Sequence, residues 1–186
     1  VPDGPLTSEL QKVQPDDTVW MRKKATGTLV VDALIPGKRL YMFSTGTGIA
    51  PFASLIRDPE TYEKFDQVIL THTCRLTAEL TYGTDLVALT KNDPLVGELA
   101  SKQLVHYTST TRDTSECMGR ITTKIEDGSL FADLGVPPLS PAEDRVMICG
   151  SMDMLRDLKE ICDKAGLEEG ANNRPATYVV ERAFVD

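Results

Sequence analysis

The 186-residue sequence predicts an α/β fold, a parallel sheet of about five strands flanked by helices. Short apolar runs rich in β-branched residues alternate with helical stretches, which is typical of strands joined by crossover helices. Several runs, among them VILTHTC, VMIC and YVV, are almost continuously apolar, as expected for strands covered on both faces. The predicted strands are Arg39–Ser44, Gln67–Cys74, Leu104–Thr110, Arg145–Cys149 and Ala176–Glu181.

Helices are predicted in the segments between these strands. The predicted helices are Pro51–Leu55, Tyr82–Leu89, Ile121–Asp127 and Met152–Ala165. Gly166 follows the last of them, and glycine commonly ends a helix because it adopts the left-handed conformation without strain.

The first part of the chain does not follow this alternation. It predicts a turn at Pro2–Pro5, a short helix from about Leu6, an extended run around Trp20 and a β-like run at Thr28–Ala33. We therefore expect a boundary near Gly37, with residues 1–36 ending one unit and residues 37–186 forming another.

Composition and charge restrict the classes of function. Hydrophobic residues make up 41% of the chain and charged residues 26%, enough apolar content for a folded core. The formal net charge of -8 argues against binding to nucleic acid or to an anionic membrane surface, because both need a basic face. No apolar run reaches the roughly 18 residues of a spanning helix, and no signal peptide is evident. The chain begins with Val1, so we treat it as a fragment.

The cysteines and histidines do not predict a metal site. None of the four cysteines forms a CxxC pair, and neither histidine stands at metal-ligand spacing. We expect free thiols in a reducing cytoplasm. These residues are Cys74, Cys117, Cys149, Cys162, His72 and His106.

A glycine turn follows the first predicted core strand. Thr45-Gly46-Thr47-Gly48 leads into a helix with Pro51 at its first position. Glycines allow a ligand to approach the backbone, and the free N–H groups of a helix start attract anions. The turn is not the GxGxxG fingerprint, because Pro51 occupies the third glycine position, and no GK[ST] follows as in a P-loop. By itself the turn is weak evidence for ligand binding.

Five short motifs in order resemble those of bacterial ferredoxin–NADP reductases. Residues 44–52 resemble the nicotinamide-nucleotide motif of that family, and the similarity covers nearly all of the chain from Gly37 onward. The other motifs are His72-Thr73-Cys74-Arg75, Thr110-Thr111-Arg112 with Gly119-Arg120-Ile121, Cys149-Gly150-Ser151-Met152 and Val180–Val185.

The resemblance implies NADP as the nucleotide. An acidic residue after the second strand of such sheets binds the ribose of NAD, whereas arginine accommodates the 2′-phosphate of NADP. Arg75 ends the second strand here, and Arg112 and Arg120 match further family positions that hold the phosphate. The implied NADP-binding residues are Thr45, Gly46, Thr47, Gly48, Arg75, Thr111, Arg112, Arg120, Gly150, Ser151 and Met152.

The resemblance also implies how the reacting rings are positioned. Thr47, Cys149, Ala183 and Phe184 would set the ring geometry, with Cys149 and Gly150 lining the nicotinamide pocket and no side chain serving as acid or base. Residues 1–8 resemble the segment that holds the FAD pyrophosphate, so Gly4, Leu6, Thr7, Ser8 and Phe184 are the expected FAD contacts. The family's Arg-x-Tyr-Ser flavin motif is missing, so FAD is expected only in a complete protein that includes the flavin-binding β-barrel.

The implied activity is hydride transfer between NADP(H) and FAD, with one-electron exchange to ferredoxin or flavodoxin. The expected protein is a cytoplasmic monomer that binds neither nucleic acid nor a membrane. One alternative is an NADH-linked reductase component of an oxygenase or a ferric reductase. Another, from a different class, is a nucleotide-binding module without a redox role.

Overall fold

A computed structural model describes residues 4–21, 23 and 27–182, without the side chain of Arg182. Five parallel strands form one sheet in the order β3-β2-β1-β4-β5. The strands are β1 Arg39–Thr45, β2 Gln67–Cys74, β3 Leu104–Thr110, β4 Asp144–Gly150 and β5 Tyr178–Arg182. The helices are α1 Thr7–Leu10, α2 Phe52–Leu55, α3 Pro59–Lys64, α4 Thr81–Lys91, α5 Gly97–Gln103, α6 Ile121–Glu126, α7 Ser129–Leu134 and α8 Met152–Lys164.

Apolar cores cover both faces of the sheet, which explains the continuous apolar strands. Leu40 and Met42 of β1 face one core, with helices α2 to α5 and the segment 29–34. Tyr41 and Phe43 face the other core, with helices α6 to α8. Alternate side chains of a strand point to opposite faces, so the middle of a central strand is apolar at successive positions, as in Leu40–Phe43 of β1.

The strand order creates a switch point beside β1. From β1 the chain proceeds outward through β2 and β3, then returns to the other side of β1 to form β4. Ser44 pairs in register with His72 of β2 and with Cys149 of β4, so the carboxyl ends of these three strands coincide. Parallel α/β sheets bind ligands at such a point, outside the carboxyl ends of the strands.

The predicted fold class is confirmed, and the predicted bounds of β2 and β3 match the structure. Gly166 has φ +81° after α8, as the sequence predicted. The short helices α3, α5 and α7 were not predicted. A signal for α3 was present, because Asp58 precedes Pro59 and its Oδ1 accepts a hydrogen bond from Glu60 N at 3.0 Å.

The predicted β-like run at Thr28–Ala33 was wrong. Residues Val31–Ala33 form a turn of 3₁₀ helix that directs Val31 and Ala33 into the core. Ile35 N then donates to Ala176 O at 3.0 Å, which ties this segment to the chain entering β5.

The extended run around Trp20 forms no strand between residues 14 and 21, and Trp20 is 100% exposed. The domain boundary near residue 37 stays a prediction.

Within the described ranges, no helix combines the length and apolar character needed to cross a membrane.

Candidate nucleotide-binding site

A cavity of about 500 Å³ opens at the carboxyl edge of the sheet. It is lined by the glycine turn after β1, by the loops after β2 and β3 and by the start of α8. The residues that line it are Thr45, Gly46, Thr47, Thr73, Cys74, Arg75, Glu79, Thr111, Arg120, Ile121, Thr122, Ser151, Asp153, Met154 and Asp157. The site therefore lies at the switch point, where the topology favours ligand binding.

The two glycines of the turn have different structural roles. Gly46 has φ +51° and lines the cavity, and no heavy atom lies within 4 Å of where a Cβ would stand. Gly48 is buried against β4, and a Cβ there would lie 2.2 Å from the carbonyl oxygen of Cys149. Gly46 thus leaves open space on the ligand side, while Gly48 lets the turn pack against the strand.

The end of β4 is equally tight. A Cβ on Gly150 would lie 2.4 Å from Thr45 Oγ1 and 2.5 Å from Met154 Cε. Ser151 N donates to Thr45 Oγ1 at 3.3 Å, which links the end of β4 to the end of β1. Burial raises the pKa of the Cys149 thiol to about 11, with the Glu181 charge adding to the effect. Cys149 is therefore a neutral thiol at physiological pH.

A buried histidine, His72, contacts the backbone of the glycine turn. His72 Nε2 lies 2.9 Å from Gly46 O and 3.2 Å from Cys74 Sγ. Burial lowers the pKa of His72, so the ring is neutral and a proton on Nε2 can be donated to the Gly46 carbonyl. Its Nδ1 is buried and has no hydrogen-bond partner among the described residues, since it faces Gly83 of α4. The sequence placed His72 in a strand but did not reveal its contact with the turn.

The arginines lie on the opposite side of the turn from β4. Arg75 and Arg120 line the cavity, whereas Arg112 is exposed beside it. In the part of the chain that the structure describes, no carboxylate oxygen lies within 4.0 Å of the guanidinium nitrogens of these three side chains. Gly119 N donates to Thr110 O at 2.8 Å, so the loop after β3 folds back and brings Arg120 to the cavity. The cavity thus has cationic groups available for an anion.

Carboxylates also line the cavity, and residue type alone did not suggest them. Glu79 lies in the loop after β2, and Asp153 and Asp157 stand one turn apart on α8. Hydrogen bonds from the Leu76 and Arg75 backbone, helped by the charges of Arg75 and Arg112, lower the pKa of Glu79. Because of Asp153 and Asp157, the cavity wall formed by α8 is acidic, and it lies opposite the arginines.

Seven of the predicted NADP contacts line the cavity, and each of the other four is next in sequence to a residue that lines it. The lining set is Thr45, Gly46, Thr47, Arg75, Thr111, Arg120 and Ser151. The adjacent set is Gly48, Arg112, Gly150 and Met152, with Cys149 of the predicted ring-positioning group. Thr73 and Cys74 were missed, although a position at the carboxyl end of β2 was a usable signal. All of these roles in binding stay predictions.

The predicted flavin contacts lie mostly at the start of the chain. Gly4, Leu6, Thr7 and Ser8 form or flank α1, where Ser8 N donates to Gly4 O at 2.9 Å and no residue is buried. Ala183 and Phe184 lie outside the described residues. No group of three potential metal ligands occurs in the part of the chain that the structure describes, and the four cysteines are free.

The fold and the cavity define a nucleotide-binding domain of the α/β class. In agreement, residues 42–160 match the family model described as "Oxidoreductase NAD-binding domain".

The chain belongs to the ferredoxin–NADP reductase family, which confirms the resemblance seen in the sequence. It is 53% identical over 185 residues to the flavodoxin/ferredoxin–NADP reductase of Rhodobacter capsulatus, covering 100% of this chain and 68% of that protein. It is 47% identical to ferredoxin–NADP reductase A of Sorangium cellulosum, covering 99% of this chain and 66% of that protein.

A solved structure gives the same result. The ferredoxin NADP⁺ reductase of Neisseria gonorrhoeae, determined with bound FAD and NADP, matches with a TM-score of 0.81 and 30% identity. The match covers 99% of this chain and 72% of that one. This chain therefore spans about two thirds of the length of the relatives that it matches.

Proposed function

We propose that this chain is the NADP-binding part of a ferredoxin/flavodoxin–NADP reductase. The observation that carries the proposal is the pairing, in one cavity, of an open glycine turn with two arginines that have no ion-pair partner among the described residues. The open glycine turn can hold a pyrophosphate, and the two arginines can bind a 2′-phosphate. Relatives named as ferredoxin–NADP reductases support the same activity.

Each side of the cavity would bind a different part of NADP. Thr45, Gly46, Thr47 and Gly48 would hold the pyrophosphate, since Gly46 leaves the space that a side chain would fill. Arg75 and Arg120 would bind the 2′-phosphate through charge-assisted hydrogen bonds, with Thr111 and Arg112 beside them.

The end of β4 would receive the nicotinamide. Cys149 and Gly150 end β4 with two small residues, Ser151 and Met152 stand at the start of α8, and Thr47 and Ser151 line the cavity. Since burial keeps the Cys149 thiol neutral, we assign it to shaping the pocket rather than to proton transfer. The nicotinamide and the flavin supply the hydride and electron chemistry, and the protein orients them and excludes water. Ala183 and Phe184 remain proposed ring contacts.

The flavin site would be completed by the part of the relatives that this chain does not match. Residues 1–36 would be the end of the flavin domain and residues 37–186 the NADP domain. Gly4, Leu6, Thr7 and Ser8 would then contact the FAD pyrophosphate in the complete protein. The solved relative with bound FAD and NADP, of which this chain covers 72%, supports that division.

The redox partner would be ferredoxin or flavodoxin, as the names of the relatives suggest. Such partners are usually acidic and this chain carries a net charge of -8, so docking needs a local basic surface or one on the remaining third of the protein. Four free cysteines support a reducing, cytoplasmic location, and we propose a monomer that binds neither nucleic acid nor membrane.

Calorimetric titration of this chain with NADP⁺ and NAD⁺ tests the proposal. We expect NADP⁺ to bind at least about tenfold more tightly, because charge-assisted contacts to the 2′-phosphate are worth more than 1 kcal/mol. Arg75→Ala should remove most of that difference by weakening NADP⁺ binding alone. Arg57→Ala is the matched control, since Arg57 is exposed and does not line the cavity.

The remaining outcomes decide between the alternatives. Equal affinity for both nucleotides contradicts the NADP assignment and favours an NADH-linked reductase of an oxygenase or of ferric iron. If neither binds, the titration is repeated on the full-length protein. Binding there keeps the assignment, whereas no binding there, or a full-length protein without flavin, favours the non-redox module.

A further inference from the structure

The loop between β2 and α4 is held by a carboxylate that turns back onto its own backbone. Glu79 Oε2 accepts hydrogen bonds from Arg75 N at 2.8 Å and from Leu76 N at 3.0 Å. Both bonds end on the same oxygen atom, and Glu79 itself is exposed at the cavity wall. The side chain therefore closes the 75–79 loop at the point where Arg75 leaves the sheet.

The carbonyl of Arg75 is fixed from the other side. Arg75 O accepts from Arg112 N at 3.0 Å and from Asp113 N at 3.2 Å. Asp113 Oδ2 in turn accepts from Thr77 N at 2.8 Å. The loops that carry Arg75 and Arg112 are thus joined by these three hydrogen bonds, two between backbone groups and one to the Asp113 carboxylate.

These bonds use both backbone groups of Arg75 and leave its guanidinium without an ion-pair partner among the described residues. A charged group on a fixed backbone loses less conformational freedom when it binds an anion than one on a mobile loop. Glu79 therefore supplies one of the contacts that hold the backbone from which the Arg75 side chain extends.

We propose that Glu79 is a positioning residue that makes the site selective for the 2′-phosphate of NADP by fixing the backbone of Arg75. This inference rests on the proposed function and extends it to a residue that does not itself bind the phosphate. The negative charge of Glu79 works in the opposite direction, because it lies near the arginines and repels a phosphate dianion. Glu79 contributes through its hydrogen-bond acceptor and not through its charge.

Two substitutions separate the acceptor from the charge. Glu79→Gln keeps one carbonyl oxygen, which is sufficient because both bonds end on one atom, and it removes the negative charge. Glu79→Ala removes both. Glu98→Ala is the control, since Glu98 is an exposed glutamate that pairs with Lys102 on α5 and does not line the cavity.

The three variants and the wild-type chain are titrated with NADP⁺ and NAD⁺ by calorimetry. We expect Glu79→Ala to weaken NADP⁺ binding at least about fivefold and to leave NAD⁺ binding within about twofold of wild type. Glu79→Gln should bind NADP⁺ as tightly as wild type or more tightly. Glu98→Ala should change neither affinity, and the urea midpoints of all variants report whether each one is folded.

The outcomes distinguish this inference from the proposed function. If Glu79→Ala keeps the preference of the wild-type chain for NADP⁺, the inference is wrong and the proposed function is unaffected. Equal losses in Glu79→Ala and Glu79→Gln overturn it as well, because the charge would then be responsible. Parallel losses of NADP⁺ and NAD⁺ indicate a structural role only and also overturn it. A wild-type chain without NADP⁺ preference overturns both.

Discussion

The two sides of the glycine turn are built on different principles. On one side is a small-residue seam, formed by Thr45, Gly48, Cys149 and Gly150, where the glycine turn packs against the end of β4 without room for another carbon. On the other side are the arginine loops, residues 75–80 and 111–120, whose charged side chains are exposed and whose backbones are tied by hydrogen bonds.

The comparison shows how shape and charge are separated in one cavity. The seam determines the shape of the binding surface, and a side chain added there would collide with the main chain at Gly48 and with the Thr45 and Met154 side chains at Gly150. The arginine loops determine which charge is bound, and their side chains can change without repacking the core. Substitutions in the seam should therefore reduce the stability of the fold, whereas substitutions in the loops should change only the affinity for nucleotide.

The largest effect is expected for Gly48→Ala in the seam. Its Cβ would lie 2.2 Å from Cys149 O and 2.9 Å from the Gly150 Cα, both of which are backbone atoms. We expect a loss of about 3 kcal/mol or more in the free energy of unfolding, at the upper end of overpacking effects. Urea unfolding monitored by circular dichroism measures it.

Gly46→Ala is the matched control for that substitution. Gly46 has open space around it but a φ of +51°, so alanine there should cost only about 1 kcal/mol through backbone strain. If Gly48→Ala is no more destabilising than Gly46→Ala, the seam is not rigid and the contrast between the two sides fails.

A second difference concerns pH, because β2 carries a buried histidine and β3 a half-buried one, whereas neither strand of the seam contains a histidine. Burial, with smaller effects of the His72 and Lys91 charges, lowers the pKa of His106 to about 4. The unfolded chain binds this proton near pH 6.5, whereas the folded chain does not until about pH 4. Stability is therefore complete above pH 6.5 and decreases as the pH falls towards 4.

One pKa unit corresponds to about 1.4 kcal/mol, and solvent screening reduces the effect because His106 is partly exposed. We therefore expect the free energy of unfolding to fall by about 1 to 2 kcal/mol between pH 7 and pH 5. Urea unfolding at the two pH values measures it. His106→Gln cannot take up the proton, so that variant should lose clearly less stability over the same interval. A wild-type chain and variant with the same pH dependence would contradict the assignment to His106.

The fold was predictable because its signals are local. A strand such as β2 contains a run of β-branched and apolar residues, Val68–Leu70, whatever its neighbours are, and Gly166 marks the end of α8 by residue type alone. The segment 28–33 misled the prediction, because its apolar residues fit a strand as well as a single 3₁₀ turn. The choice depends on where Val31 and Ala33 pack, which only the tertiary structure determines.

The candidate site was predictable only in part, for the same reason. Arg75 was indicated by its charge and its place after β2, Arg120 by its match to the family motif, and both line the cavity. Glu79 and Asp157 line it too, yet acidic residues are not expected around an anion and no local pattern brings α8 to the arginines. Glu79 lies in the same loop as Arg75, whereas the position of Asp157 follows from the strand order, which puts β4 and the start of α8 next to β1.

The smallest effects should distinguish the arginines from one another. Arg120 lines the cavity and Arg112 does not, although the sequence placed both at the 2′-phosphate. We expect Arg120→Ala to weaken NADP⁺ binding about tenfold, or about 1.4 kcal/mol, and Arg112→Ala only a few-fold through its weaker, longer-range charge. Both variants should keep the urea midpoint of the wild type, because neither guanidinium forms an ion pair with any described residue. Raising the salt concentration should reduce the Arg112→Ala effect more than the Arg120→Ala effect, since a contact ion pair is screened less than a distant charge. The reverse order of the two losses would mean that the loop after β3 moves when NADP⁺ binds, so that charge on this side of the turn is placed by the ligand and not by the backbone.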